Sequence, residues 1–183
     1  MTVKMKKLLF ACLCTAAFST GIYAQKGDIN INAGVDIALP TGDFGEVYNM
    51  GFGATVKGLY GISENGQIGL TLGYIRFGLK DEYDENLSGS LGIIPVFAVY
   101  RHHFGNLYVE PQIGFSSNKV KLETETTGWG SFGGSASETS FGYAAGIGYM
   151  LGDIDLSARY QGLSQGGSGM GFLAVRAAYN FSL

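Results

Sequence analysis

The feature that most constrains this chain is an alternation of apolar residues with small or polar ones, which starts after residue 27 and continues to the C-terminus. Residues 27–39 place isoleucine, valine and leucine at one parity and aspartate, asparagine and glycine at the other. Residues 173–183 repeat this pattern. Successive side chains of a β-strand point to opposite faces, so the alternation predicts strands whose two faces meet different surroundings.

Six further segments of the same kind lie between these two, which brings the predicted strands to eight. They cover residues 51–62, 67–79, 91–104, 107–116, 141–151 and 154–161. Residues 91–104 are almost continuously apolar, so the alternation does not say which of their side chains face inward.

The connections alternate between short and long. Residues 63–66, 105–106 and 152–153 contain the Gly, Asn and Asp that tight hairpins require. Four longer connections are predicted at residues 40–50, 80–90, 118–140 and 162–170. This asymmetry is typical of an antiparallel up-and-down transmembrane β-barrel, and strands of about 10 to 13 residues are long enough to cross a bilayer when tilted.

A soluble, lipocalin-like carrier would alternate too, with its apolar face lining a pocket. Composition favours the membrane barrel. The second face consists largely of Gly, Ala, Ser and Asn rather than the charged residues of a water-facing surface. Charged residues are only 15% of the whole chain. Small residues suit the crowded interior of an eight-stranded barrel.

Two sets of side chains follow from this interpretation. The few charges on the small-residue face have both signs, and we expect them to pair in the lumen because a buried charge needs a partner. They are Asp36, Lys57, Glu110, Asp155, Arg159 and Arg176. The aromatic residues near strand ends are expected to form interfacial girdles. They are Tyr60, Tyr74, Tyr100, Tyr149, Tyr160, Tyr179 and Phe181.

Residues 1–24 have the pattern of a secretory signal peptide. Lys4, Lys6 and Lys7 precede an apolar stretch over residues 8–18, which is too short to span a bilayer as a helix. Cleavage after Ala24 would leave a barrel domain of residues 25–183. A lipoprotein leader modified at Cys12 is the alternative, but Cys12 lies too early in the apolar stretch.

The remaining chain has no cysteine, because Cys12 and Cys14 both lie in the leader. It therefore needs a large core or a membrane for its stability rather than disulfides. Without the three leader lysines it has nine basic and 15 acidic residues, a net charge of −6. Such a surface argues against nucleic acid as a partner.

Several short motifs recur in a fixed order along the chain: residues 38–44 (ALPTGDF), 94–96 (IPV), 101–104 and 108–112 (YVEPQ), followed by an alternating aromatic C-terminus. With these motifs the whole mature chain resembles the porin-like outer-membrane β-barrel domain family of Gram-negative bacteria, and it is similar in architecture to OmpX and the OmpA membrane domain. One departure is the end itself, where Leu183 follows Phe181 and Ser182 although this family usually finishes on an aromatic residue. The resemblance implies a bacterial outer-membrane location, periplasmic termini and four extracellular loops. It also implies contact with outer-membrane lipid and lipopolysaccharide, and with the outer-membrane assembly machinery during biogenesis.

The sequence contains no hydrolase elbow, phosphate-binding loop or metal-spaced His and Cys set, so we predict no catalytic, cofactor or metal site. His102 and His103 are adjacent on one strand and would face opposite sides. Asp81, Glu82, Asp84 and Glu85 lack the spacing of a calcium loop and are expected to form a solvated acidic loop. Trp129, in the third long loop, is a candidate contact for a partner.

The function expected from these features is non-enzymatic: a structural or surface-interaction role, in adhesion or envelope integrity, through four extracellular loops. Three alternatives remain: a narrow porin for small solutes, a lipid A-modifying barrel enzyme, and a soluble lipocalin-like carrier. The porin is disfavoured because eight strands leave an interior barely wide enough for their own side chains. The surface partner is not identified.

Overall fold

A computed structural model describes residues 27–80, 87–124, 132–165 and 168–183, which form a closed antiparallel barrel of eight strands. Each strand pairs with its neighbours in sequence, and the last strand closes onto the first. The prediction of an eight-stranded up-and-down barrel is therefore confirmed. The elements are β1 (Ile29–Thr41), α1 (Asp43–Val47), β2 (Tyr48–Gly61), β3 (Gly66–Leu79), β4 (Leu87–Phe104), β5 (Leu107–Thr124), β6 (Phe132–Leu151), β7 (Ile154–Gln165) and β8 (Ser168–Ser182).

The outer wall is apolar around the whole barrel. Val35, Leu70 and Val175 are each about 60% exposed, and they belong to a continuous belt of exposed Ile, Leu, Val, Phe and Tyr on all eight strands. A water-soluble monomer rarely exposes a patch of more than a few hundred Å². The charged side chains that are buried, such as those of Lys57, Glu110 and Arg176, point the other way, into the lumen. This is a transmembrane barrel and not a soluble carrier, whose apolar face would point inward. Among the described residues, no helix is long and apolar enough to cross a membrane.

The facing of β4, which the sequence left open, is settled by the structure. Its odd-numbered residues point inward, so that Leu91, Ile93 and Phe97 are buried while Ile94 and Val96 are exposed. The sequence shows no alternation here because this strand meets lipid on one face and an apolar part of the lumen on the other.

We call the end of the barrel at which β1 begins, β8 ends and the three short connections lie the turn end, and the opposite end the loop end. At the turn end, Gly105 and Gly152 adopt positive φ values of 67° and 62°, which the tight hairpins require. At the loop end, the first predicted long loop is largely ordered, because β1 extends to Thr41 and is followed by α1.

The prediction of a long loop at residues 162–170 is wrong. Strands β7 and β8 continue to Gln165 and from Ser168, and Leu163 pairs with Met170. Glycines at 162, 166, 167, 169 and 171 suggested a loop, but Leu163 is buried in the lumen and holds this segment in the sheet.

In the third connection β5 extends to Thr124 and β6 begins at Phe132, so strand structure continues through most of residues 118–140.

All three prolines of the chain lie inside the sheet, and each pairs with a neighbouring strand on one side only. Pro40 pairs with Phe172 of β8 but with no residue of β2. Pro95 pairs with Ser116 of β5 but with no residue of β3. Pro111 pairs with Ala145 of β6 but with no residue of β4. Proline has no N–H to donate, so each interruption marks the side to which its nitrogen points.

Glycines allow large rings to lie flat against the inner wall. A Cβ placed on Gly148 would lie 2.2 Å from the Tyr108 ring, and one on Gly142 would lie 2.5 Å from the Phe97 ring. Tyr108 and Phe97 are buried in the lumen, and neither ring would keep its position if the facing glycine carried a side chain.

Candidate functional site in the lumen and at the loop end

The loop-end half of the lumen is filled by a cluster that we call the apolar plug. The helix α1 contributes Phe44, whose ring centroid lies 5.1 Å from that of Phe77, and Phe77 in turn lies 5.4 Å from Phe172. These rings close the loop end with apolar side chains. The plug consists of Ala38, Phe44, Ile75, Phe77, Leu91, Ile93, Phe97, Ala144, Leu163, Phe172 and Ala174.

Below the plug, toward the turn end, lies a network of charged side chains that we call the lumen network. One of its centres is the carboxylate of Glu110 on β5. Lys57 of β2 donates to one of its oxygens, and Arg101 of β4 donates to the other through Nε at 2.7 Å. Gln112 donates a further hydrogen bond at 2.7 Å. All four residues are at least 95% buried.

A second centre is the carboxylate of Asp155 on β7. It accepts hydrogen bonds from Tyr108 at 2.6 Å and from Asn32 at 2.9 Å, and Arg101 forms an ion pair with it at 3.1 Å. The Arg101 guanidinium also lies over the Tyr108 ring, 3.9 Å from its centroid. Arg101 therefore links the Glu110 and Asp155 centres.

A third centre is Asp36 on β1. Arg159 of β7 forms an ion pair with it at 2.6 Å, and Thr55 donates a hydrogen bond at 2.8 Å. Arg176 connects this centre to the second one, because it donates to Thr55 Oγ1 at 2.6 Å and to the side chain of Asn32. The three centres thus form one continuous network.

The six charged residues expected in the lumen all lie there and all belong to this network. Sequence reasoning missed Arg101, Tyr108, Asn32 and Thr55. Asn32, Thr55 and Tyr108 lie on the face of their strands that carries small and polar residues, so the alternation alone would have placed them inside. Arg101 belongs to the strand without alternation.

The lumen network has more positive than negative charge. Lys57, Arg101, Arg159 and Arg176 are buried with the three carboxylates, a surplus of one cation among the described residues. Ion pairs join strands that are not neighbours, such as β2 with β5 and β1 with β7. Such pairs cross the lumen and hold opposite walls together, so the arrangement is suited to rigidity rather than to passage of solutes.

The seven aromatic residues expected at the interfaces all point outward. Tyr60, Tyr100, Tyr149, Tyr179 and Phe181 lie near the turn end, and the Tyr179 and Phe181 rings are 4.8 Å apart. Tyr74 and Tyr160 lie farther toward the loop end, by the pairing of their strands.

The adjacent histidines face opposite sides, as predicted: His103 is buried in the lumen and His102 lies on the outer wall beside Tyr100. Trp129 and the acidic residues Asp81, Glu82, Asp84 and Glu85 lie outside the described residues. Within the described ranges, no group of three His, Cys, Asp or Glu could hold a metal ion.

At the loop end, β6 extends past its last pairing with β7, and one of its edges has no partner strand in the part of the chain that the structure describes. It pairs with β5 along its whole length, from Phe132↔Thr124, but with β7 only from Phe141 onward. Residues 132–140 therefore have no partner on the other side among the described residues. Gly134–Thr139 are all exposed, and this stretch contains no proline and a single charge, Glu138. We call residues 132–140 the β6 edge.

The backbone groups that face the open side can be assigned. The Pro111 nitrogen points toward β4 and not toward β6, so Pro111 and Ala145 form a non-hydrogen-bonded pair between β5 and β6. Ala145 therefore directs its own N–H and C=O away from β5. The same holds for every second residue of β6, including Ser135, Ser137 and Thr139. Even-numbered residues of β6 point the other way. The backbone N–H of Met150, for example, donates to the carbonyl of Asn106 on the β5 side at 2.8 Å.

A closed barrel with a lipid-facing wall, a charged lumen and no spanning helix among its described residues defines the class of transmembrane β-barrel proteins. The chain matches the outer membrane protein beta-barrel domain over residues 9–181, and it belongs to that family. It is therefore a protein of the bacterial outer membrane. Comparison with curated proteins gave no match.

Solved structures share this fold. Ail, the attachment invasion locus protein of Yersinia pestis, is 18% identical, with a TM-score of 0.60 over 86% of this chain and 100% of that chain. OprG from Pseudomonas aeruginosa is 11% identical, with a TM-score of 0.50 over 87% of this chain and 98% of the other. At these identities the likeness shows the fold alone.

Proposed function

We propose that this protein is a non-enzymatic surface-interaction barrel that binds extended polypeptide segments at the β6 edge. The observation that carries the proposal is the row of backbone groups at Ser135, Ser137 and Thr139, which face no partner strand among the described residues. An exposed edge of this kind accepts an additional strand through main-chain hydrogen bonds. Natural edges that must avoid pairing carry prolines, lysines or bulges, and residues 134–139 carry none of these.

The orientation that this function requires places the turn end in the periplasm and the loop end outside the cell. Three of the four loop-end connections are longer than the turns at the opposite end, which supports this orientation because transmembrane barrels have short periplasmic turns. Export through a signal peptide at residues 1–24 and insertion by the outer-membrane assembly machinery belong to the same proposal.

Lipopolysaccharide is the proposed lipid neighbour at the loop end. Phe115 and Phe141 are the last large apolar residues of the outer wall on β5 and β6. Lys119 and Lys121 follow on the same face and are exposed. Two cations just above the apolar belt are suited to the phosphate groups of an anionic outer leaflet.

The printed name of Ail describes attachment and invasion, and this agrees with a surface-interaction role. The porin alternative is not favoured, because the apolar plug and the lumen network occupy the interior. Planar-bilayer recordings of the purified protein separate the two: we expect no steady open-channel current, and such a current would support the porin.

The edge itself is tested with Ser137→Pro and the matched control Ser137→Ala. The Ser137 N–H points to the open side, so proline removes one edge donor without breaking the pairing with β5. The alanine variant keeps the N–H and loses only the hydroxyl. The probe is an array of 12-residue peptides with alternating β-branched residues, applied to the protein in lipid nanodiscs.

Wild type and Ser137→Ala should bind the same peptides. Ser137→Pro should bind them about fivefold more weakly, since one hydrogen bond contributes about 1 kcal/mol. Equal binding by all three proteins, or binding to empty nanodiscs, would contradict the proposal.

A further inference from the structure

The lumen network contains one more cation than it has carboxylates. Its charged side chains are all at most 6% exposed, and they are those of Lys57, Arg101, Arg159, Arg176, Asp36, Glu110 and Asp155. A charge that is removed from water without a counter-charge is strongly unfavourable, because the interior has a low dielectric constant. The surplus of one positive charge among the described residues therefore favours an additional anion in the lumen.

Arg159 keeps hydrogen-bonding capacity that Arg176 has already used. Arg176 donates through Nε, Nη1 and Nη2 to groups of Asn32 and Thr55. Arg159, among the described residues, is bonded only through Nη1, to Asp36 at 2.6 Å. Its other guanidinium N–H groups are therefore available as donors inside the lumen.

Gln161 brings a second donor to the same part of the lumen. Its side chain is 1% exposed, and its Nε2 has no hydrogen-bond partner in the part of the chain that the structure describes. Arg159 and Gln161 are two residues apart on the inner face of β7, so their Cβ atoms lie roughly 7 Å from each other. A buried donor without an acceptor is costly, and one acceptor placed between these two side chains satisfies both of them.

The inner wall beside these two donors consists of small residues. On the β6 side, Gly146 pairs with Arg159 and Ala144 pairs with Gln161. On the β8 side, Ala174 pairs with Arg159. Because none of these three side chains extends beyond a methyl group, they leave room in front of the donors.

Two aromatic rings set the limits of this space along β6. The Phe97 ring lies against Gly142 and the Tyr108 ring lies against Gly148, one on each side of Gly146 in the strand. The three atoms nearest to a Cβ added at Gly146 belong instead to the neighbouring strand β7. The space between the two rings is therefore short, and its donors are on β7.

We infer that the lumen binds one small monovalent anion of the halide class between the side chains of Arg159 and Gln161, over the small residues of β6. One such ion balances the surplus charge and accepts hydrogen bonds from both side chains. A spherical ion accepts from any direction, so it suits a guanidinium and an amide together, and the short space between the rings excludes a large organic anion. The site is separate from the β6 edge and does not depend on the function proposed there.

The test compares the stability of the full mature protein in two salts. The protein is refolded in phospholipid vesicles, and its unfolding by urea is followed by circular dichroism in sodium chloride and in sodium gluconate. Both salts are used at the same ionic strength, about 0.2 M, so that screening of charges is equal. The unfolding equilibrium constant of the wild-type protein should be about tenfold smaller in chloride, which is the effect of a site whose Kd is about one tenth of the chloride concentration.

Two substitutions of Gln161 and one matched control locate the effect. Gln161→Leu removes the amide donor, and the response to chloride should fall below about twofold. Gln161→Glu supplies a carboxylate beside Arg159, so it should be as stable in gluconate as the wild-type protein is in chloride, and insensitive to the choice of salt. The control is Thr71→Val on the opposite wall, because Thr71 is also buried with a hydroxyl that lacks a partner among the described residues. It should keep the full response.

A crystal of the protein grown in bromide gives the position of the ion. The anomalous signal should lie between Arg159 and Gln161 in the wild-type protein and be absent from Gln161→Glu. Bromide only at exposed lysines would show an adventitious ion only and would overturn the inference.

Equal stability of the wild-type protein in the two salts would also overturn the inference. The same holds if Gln161→Leu and Gln161→Glu respond to chloride as strongly as the wild-type protein, because the ion would then act elsewhere. If Gln161→Leu does not fold, Gln161→Glu decides the question, since its carboxylate replaces the ion.

Discussion

Replacing Glu110 by alanine should destabilise the barrel more than any substitution of an exposed charge. Glu110 is the carboxylate that neutralises Lys57, whose side chain is 2% exposed and has no other ion-pair partner among the described residues. Arg101 loses one of its two carboxylates but keeps Asp155 at 3.1 Å and the Tyr108 ring at 3.9 Å. The cost therefore comes chiefly from one stranded ammonium group.

Stranding a buried charge typically costs about 3–5 kcal/mol, and we expect Glu110→Ala to fall in this range. The assay is urea-dependent unfolding in phospholipid vesicles, followed by circular dichroism and by heat-modifiable mobility. Glu138→Ala, at an exposed position of the β6 edge, is the control and should change stability by less than about 0.5 kcal/mol.

The double variant Glu110→Ala with Lys57→Met removes the stranded cation as well. It should recover roughly half of the loss, since an apolar side chain of similar length replaces a buried ammonium group. A loss below about 1 kcal/mol for Glu110→Ala, or a double variant no more stable than the single one, would refute the argument that Lys57 is buried without water.

Three further substitutions test other parts of the fold by the same unfolding assay. Gly148→Ala should lower the free energy of unfolding by about 1–3 kcal/mol, because the new Cβ would lie 2.2 Å from the Tyr108 ring. The control Gly58→Ala places its Cβ in open space and should leave the stability unchanged. Equal effects of the two substitutions would contradict the packing of Tyr108 on the wall. Phe77→Ala should cost about 3–5 kcal/mol by emptying the apolar plug between Phe44 and Phe172, and a loss as small as that of an exposed residue would show that the plug is loosely packed. Gly105→Ala should cost about 1–2 kcal/mol, since it forces a Cβ into a turn with φ of 67°; no change would mean that the turn relaxes.

The number of strands and most of their facings could be predicted because lipid and lumen impose different side chains on alternate positions. Where the lumen is itself apolar, as along Leu91, Ile93 and Phe97, the two faces no longer differ in sequence, and the facing of β4 could not be predicted. The apolar plug was missed for the same reason. Glycine is frequent both in loops and in crowded strands, so the glycines of residues 162–170 predict a loop where the structure has strands.

The sequence predicts which residues belong to the lumen network better than it predicts which of them form ion pairs. The alternation along each strand places Asp36 and Arg159 inside, but it does not give their positions around the barrel. These two residues are 123 positions apart in the chain, and they meet only because β1 and β7 flank β8 in the closed sheet. The pairing is a consequence of closure, which no local pattern contains.

The central claim is that every second side chain of each strand meets lipid while its neighbours meet a closed, charged interior. The chain beyond residue 24 has no cysteine, so a single cysteine can be introduced at each position from 173 to 178 of β8 and labelled with a nitroxide. In bilayers, labels at 173, 175 and 177 should be accessible to oxygen dissolved in lipid, and labels at 174, 176 and 178 should be protected. Accessibility without a period of two, or preferential access of a water-soluble relaxation agent to positions 173, 175 and 177, would contradict the account.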